Sequence, residues 1–280
     1  MSFKSILVHV VSNSMPDPRL ALAVDLSNQF DAKLIGVGAE IYRISGMGGG
    51  YGADFSSAEM FTNLAADVDA NLARAEKKFQ VIASSVRQGS QWRAGVQFPV
   101  EMIAAEARAA DLLVTSHSDG GGDSNYTVAA PGALIMQAGR PVLVAPPNAA
   151  QLAVTNIVVA WKDTREARRA VSDALPFLKN AQSVLLVEIS NSTEAAPAAR
   201  QRLADVGDHL RRHGIEAEVM VVAEAKNGSA ADQLLDIAEQ QQADLIVVGG
   251  YGHSRLKEWV FGGFTRALLA QTRHAVLFSH

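Results

Sequence analysis

The order of apolar runs in this chain occurs twice, and that repetition restricts the fold more than any single motif does. Ala110-Asp111-Leu112-Leu113-Val114 matches Ala243-Asp244-Leu245-Ile246-Val247 at an offset of 133. The same offset sets Arg140 on Arg273 and Val144 on Leu277 without a gap, whereas Ile6 falls on Ile157 at an offset of about 151. The first copy thus holds 18 more residues, for which the Gly46–Gly52 stretch and a lengthened helix account. Two copies of one unit, 1–150 and 151–280, explain 280 residues better than one large domain.

In the first copy Lys4–Val10, Lys33–Val37, Trp92–Val96, Asp111–Ser116 and Pro141–Ala145 read as strands, Lys4–Val10 as a buried parallel one. Leu20–Phe30, a long segment from Ser57 and Val100–Ala110 read as helices, with Met60, Leu64, Val68, Leu72 and Phe79 along one face of the long one. Gly46–Gly52, five glycines in seven residues, reads as a loop. After Pro146-Pro147-Asn148-Ala149-Ala150 the order resumes. Asn156–Trp161, Ser183–Ile189, Glu216–Val222, Asp244–Val248 and Ala275–Phe278 are strands; Thr164–Leu178, Ala198–His213 and Ser229–Gln241 are helices. Ser229 and Asp232 suit a capping pair, and Arg211-Arg212-His213-Gly214 suits a helix end. Strands alternating with helices predict an α/β fold of two tandem units, each with a parallel sheet.

Within the second copy, Leu245-Ile246-Val247-Val248 breaks at Gly249-Gly250. A glycine-and-basic loop follows, and Gly262-Gly263 then opens a helix with Phe264, Ala267 and Leu268 on one face. Glycines admit a ligand close to the backbone, and free N–H groups at a helix start favour phosphate. The alternative is that these glycines make only a turn and a helix start. At offset 133, Gly249, Gly252, Gly262 and Gly263 fall on Ser116, Asp119, Ala129 and Ala130, so the first copy lacks all four. Turns needed by the fold itself are expected in both copies, which favours a ligand-binding role confined to the second.

Composition narrows the function. A net charge of −4 argues against a nucleic-acid partner, and the chain has no cysteine for a disulfide, thiolate metal site or nucleophile. No apolar run is long enough for a membrane span, and the N-terminus reads as a strand, so a cytoplasmic protein is expected. The seven histidines show no metal-ligand spacing, and neither G-x-S-x-G nor paired carboxylates suggest an enzyme. The phosphate-loop pattern is missing, and Gly48-x-Gly50-x-x-Ala53 lacks the acid of a dinucleotide fingerprint.

Gly249-x-x-Gly252, nine residues, then Gly262 resembles the nucleotide-binding signature of the universal stress protein family, G-x-x-G, nine residues, G-[S/T]. The resemblance covers both copies and implies Rossmann-like, adenine nucleotide alpha hydrolase-like domains of five strands each. It implies a bound adenine nucleotide, ATP before AMP or ADP. Gly249 and Gly252 would line the ribose and phosphate path; Gly262, Gly263, Phe264 and Thr265 would open the helix at the phosphates. Ala160, Trp161, Lys162 and Asp163 would lie beside the adenosine, and the backbone of Glu188 and Ile189 near the adenine. His253, Arg255 and Lys257 suit either phosphate contacts or a solvated loop. Two residues depart from the pattern: Gly263 lacks the hydroxyl, and Lys162 stands where an acid is usual, with Asp163 next to it.

Three functions fit: a nucleotide-binding sensor or adaptor for a protein partner, a slow ATPase, or an interaction scaffold without ligand. The fifth strands, Pro141–Ala145 and Ala275–Phe278, should pair with each other, making one chain an internal pseudo-dimer. Any homodimer would then use helical faces or Gly46–Gly52.

Overall fold

The computed structural model describes residues 2–12, 17–43, 58–117, 128–190, 196–225, 228–250, 263–270 and 273–280. The first half runs β1 (Ser5–His9), α1 (Pro18–Phe30), β2 (Lys33–Glu40), α2 (Ala58–Ala83), β3 (Ser90–Val96), α3 (Pro99–Glu106), β4 (Leu112–Ser116), α4 (Pro131–Gln137) and β5 (Val142–Ala145). The second runs β6 (Asn156–Ala160), α5 (Arg165–Leu178), β7 (Ser183–Ser190), α6 (Ala196–Arg212), β8 (Glu218–Ala223), α7 (Ala230–Gln240), β9 (Leu245–Gly249), α8 (Gly263–Ala270) and β10 (Ala275–Ser279). Every strand expected from the sequence is present. A 3-10 turn over Ala107–Ala109 ends α3, and α4 carries no readable periodicity because its seven residues make just under two turns.

The strands join into one ten-stranded sheet, ordered β3-β2-β1-β4-β5-β10-β9-β6-β7-β8. Pairing is parallel within each half, and β5 meets β10 antiparallel through Val142↔Phe278, Leu143↔Leu277 and Val144↔Val276. The expected internal pairing of fifth strands is therefore observed. One further residue separates the copies: Leu113 pairs with Val142 and Ile246 with Val276, which sets Val144 on Phe278 and not on Leu277. The ungapped alignment conceals this shift because Val142-Leu143 falls on Ala275-Val276 at offset 133, an apolar pair in either register.

The repeat has a physical origin at the start of β4 and β9. Asp111 Oδ2 accepts the N–H groups of Lys4 at 2.7 Å and Ser5 at 3.0 Å. Asp244 Oδ2 accepts those of Thr155 at 2.6 Å and Asn156 at 2.9 Å, fixing the same strand junction in the other half. Two apolar layers cover the sheet. Residues of α1, α2, α5 and α6 form one core, and residues of α3, α4, α7 and α8 form the other. Phe3 and Phe30 of the first half meet Phe177 of the second edge-to-face, with centroids 5.0–5.2 Å apart, so the first core runs across the junction. Among the described residues no helix is long and apolar enough to cross a membrane.

Candidate functional site

In the second half β6 leads to β7 and β8 on one side, while β9 leads to β10 on the other. The carboxyl ends of β6 and β9 are neighbours, with Ala160 opposite Val248. The helices that leave them, α5 and α8, pack on opposite faces of the sheet. A parallel sheet opens a crevice at such a switch point, and ligands of α/β proteins bind there. The sequence-derived residues that the structure describes gather at this edge: Ala160–Asp163 after β6, Glu188 and Ile189 at the end of β7, Gly249 ending β9, and Gly263–Thr265 opening α8. Gly252, His253, Arg255 and Gly262 lie outside the described residues, as do Lys257, Asp119 and Gly46–Gly52.

The period of a strand divides this group between the two faces. Ala160, Ile189 and Phe264 pack on the side of α7 and α8, beside Met220, Val222 and Leu235. Trp161 belongs to the opposite core, where its buried indole N–H has no hydrogen-bond partner among the described residues. The carboxylate of Glu188 is also buried, in a two-pronged ion pair with Arg202 of α6. Asp163 is exposed and receives Arg168 at 2.6 Å. The crevice on the α8 side is thus walled by small and apolar side chains, with the charged ones across the sheet.

Each glycine has its own explanation. A Cβ at Gly249 would stand 2.6 Å from the Ala167 nitrogen, so this glycine is required by the close approach of α5 to β9. A Cβ at Gly263 would meet nothing within 4 Å among the described residues. Thr265, one turn into α8, is 3% exposed and faces the core.

Sequence reasoning missed Glu166 and Arg202. Glu166 lies buried in the first turn of α5, against Gly249. Burial pushes its carboxyl up, but hydrogen bonds from Arg165, its own backbone and Thr164 outweigh this and hold it below the ordinary range. Glu166, Arg165, Arg169 and His280 line an open depression of ≈ 350 Å³ on the α5 side. An acid within the first turn of a helix was the one local signal for Glu166. Nothing local marks Arg202, whose partner is 14 residues away.

Residues 153–280 match the model of the universal stress protein family. This segment is a universal stress protein domain. The whole chain superposes on a universal stress protein from Archaeoglobus fulgidus DSM 4304 with a TM-score of 0.67, at 14% identity, covering 98% of this chain and 95% of that one. A functionally unknown protein from Pseudomonas aeruginosa PAO1 gives 0.58 at 13% identity, over 99% and 92%. At these identities the likeness is one of fold, and it extends the universal stress protein architecture over both halves. No curated protein sequence matches the chain.

Proposed function

We propose that residues 151–280 bind an adenine nucleotide, ATP in preference to AMP or ADP, and that residues 1–150 are a degenerate copy of the same unit. The protein then acts as a stress-response sensor or adaptor, its surface altered for a protein partner by occupancy of the C-terminal half. The observation that carries this is the β6/β9 switch point, whose residues on the α8 side are small and apolar. Ala160 and Ile189 suit the face of a base, and a helix that starts at Gly263 suits a phosphate. Gly249 lends no support, because packing against α5 accounts for it.

Mass spectrometry of the supernatant released by heating the purified protein should show an adenine nucleotide. Titration calorimetry should give one ATP site per chain, with AMP and ADP weaker. Two equivalent sites, or none, would sink the assignment. The variant Gly263→Ser sharpens it, since no described residue stands within 4 Å of the Cβ it would add. A hydroxyl donating to a charged phosphate is worth about 1.5–3 kcal/mol, which predicts a gain of roughly tenfold or more in ATP affinity. An unchanged affinity would mean that the phosphates do not pass α8.

A further inference from the structure

We infer that His117 of the N-terminal half is a positioning residue for α8, so that the half without the glycines holds the nucleotide segment of the other half in place. His117 follows β4 and stands in the register position that Gly250 occupies after β9, at the offset of 133. It is buried, and its Nδ1 lies 2.8 Å from the carbonyl oxygen of Leu269, in the last turn of α8. A carbonyl can only accept, so Nδ1 carries the proton and donates. The last four carbonyls of any helix lack partners within it, and the ring supplies one from the other half of the molecule. Among the described residues Nε2 has no hydrogen-bond partner, and the backbone of His274 also acts on the ring, so the bond to Leu269 shares the orienting of the imidazole with the start of β10.

The start of the same segment is held from the same side. A Cβ on Gly250 would stand 2.9 Å from Ile135 Cγ2 of α4, so the backbone of Gly250 rests on the first half. The segment leaves the sheet at Gly250 and returns through α8, and the N-terminal half touches it at both ends. An eight-residue helix is marginal by itself and takes its order from what it docks against. Thr265 and Leu268 are buried along it, and Phe264 and Leu269 are partly buried on the same core, so the capping bond adds to a small docked surface. That α8 receives phosphate rests on the proposal above; that His117 orders α8 does not.

The experiment is amide hydrogen exchange of full-length protein, without nucleotide, for wild type, His117→Ala and His117→Asn. Asparagine keeps a donor near the place of Nδ1, whereas alanine removes it. Exchange in residues 263–270 should quicken about tenfold in His117→Ala, the size expected for one lost hydrogen bond, and stay near wild type in His117→Asn. Exchange in β6 and β7 should not change. ATP affinity measured on the same samples should fall by a similar factor in His117→Ala and recover in His117→Asn. Unchanged exchange over 263–270 in His117→Ala overturns the inference, and so does equal quickening in both variants, which would show that the volume of the ring matters and not its donor. If exchange behaves as expected while no sample binds ATP, His117 orders α8 and the nucleotide assignment is what fails.

Discussion

The two halves share a fold and differ most where β1 and β4, or β6 and β9, end side by side. In the second half Ala160 ends β6, and Thr164 caps α5 four residues later. At the matching place His9 ends β1, and Asp17 caps α1 eight residues later. Asp17 Oδ2 takes Lys78 at 2.8 Å, and Arg19 lies 3.5 Å from Oδ1, with all three side chains buried. Lys78 also donates to the Val11 carbonyl. The first half thus fills its switch point with its own charged side chains, where the second presents alanine, isoleucine and glycine. One sheet can carry both because the strands below are the same; the difference lies in what the loops above them hold.

The largest effect should come from breaking that charge cluster. Asp17→Ala leaves two buried cations without their carboxylate, and removing one partner of a buried ion pair costs about 3–5 kcal/mol. The matching cap change, Thr164→Ala, removes only a cap and should cost about 1 kcal/mol. Urea unfolding of the two variants compares the halves directly. Equal losses would mean that the Asp17 cluster is solvated and the contrast is false.

His9 gives a second, smaller measure. Burial, then the charges of Arg19 and Lys78, lower its pKa to about 3, with Asp17 opposing them. In the unfolded chain the ring titrates near 6.5, so between the two values the unfolded state holds a proton that the folded state does not. Stability from the neutral ring is therefore complete above pH 6.5 and is lost as the pH falls towards 3. By pH 5 the loss should reach about 2 kcal/mol. His9→Leu, which keeps an apolar group of similar volume, should abolish that part of the pH dependence. Parallel stability curves for wild type and variant between pH 7 and 5 would place a protonated His9 in the fold.

Much of this was legible in the sequence, for reasons that can be named. The repeated Ala-Asp-Leu segment is visible because Asp111 and Asp244 do the same work, each accepting two N–H groups at a strand junction. The pairing of β5 with β10 follows from the liability of an open apolar edge. The capping box at Ser229 and Asp232 and the left-handed Gly214 after α6 were also readable, since both are local. What could not be read was non-local. Alternation along a strand says that Trp161 and Ala160 face opposite ways, but not which layer holds α8. A glycine demanded by packing and one demanded by a ligand look alike, and only the distance from Gly249 to Ala167 separates them. His117 carries no local sign at all, because its partner is 152 residues away.

The smallest predicted effect tests whether the acid after β6 belongs to the ligand or to the surface. Asp163 and Arg168 are each more than half exposed, and such pairs contribute well under about 1 kcal/mol. Asp163→Asn should therefore leave the urea midpoint almost unmoved, in contrast to Asp17→Ala. Its effect on ATP is the sharper question. Asp163 meets Arg168 of α5, whereas the apolar wall of the crevice lies on the side of α8. An acid engaged there has little part in holding a ribose, so ATP affinity should stay within about threefold of wild type, a change of less than about 1 kcal/mol. A loss of tenfold or more would show that Asp163 leaves Arg168 to meet the nucleotide. The two halves would then differ less in where their acids stand than in whether those acids are free to turn, since Asp17 is buried beneath Lys78 and Asp163 is not.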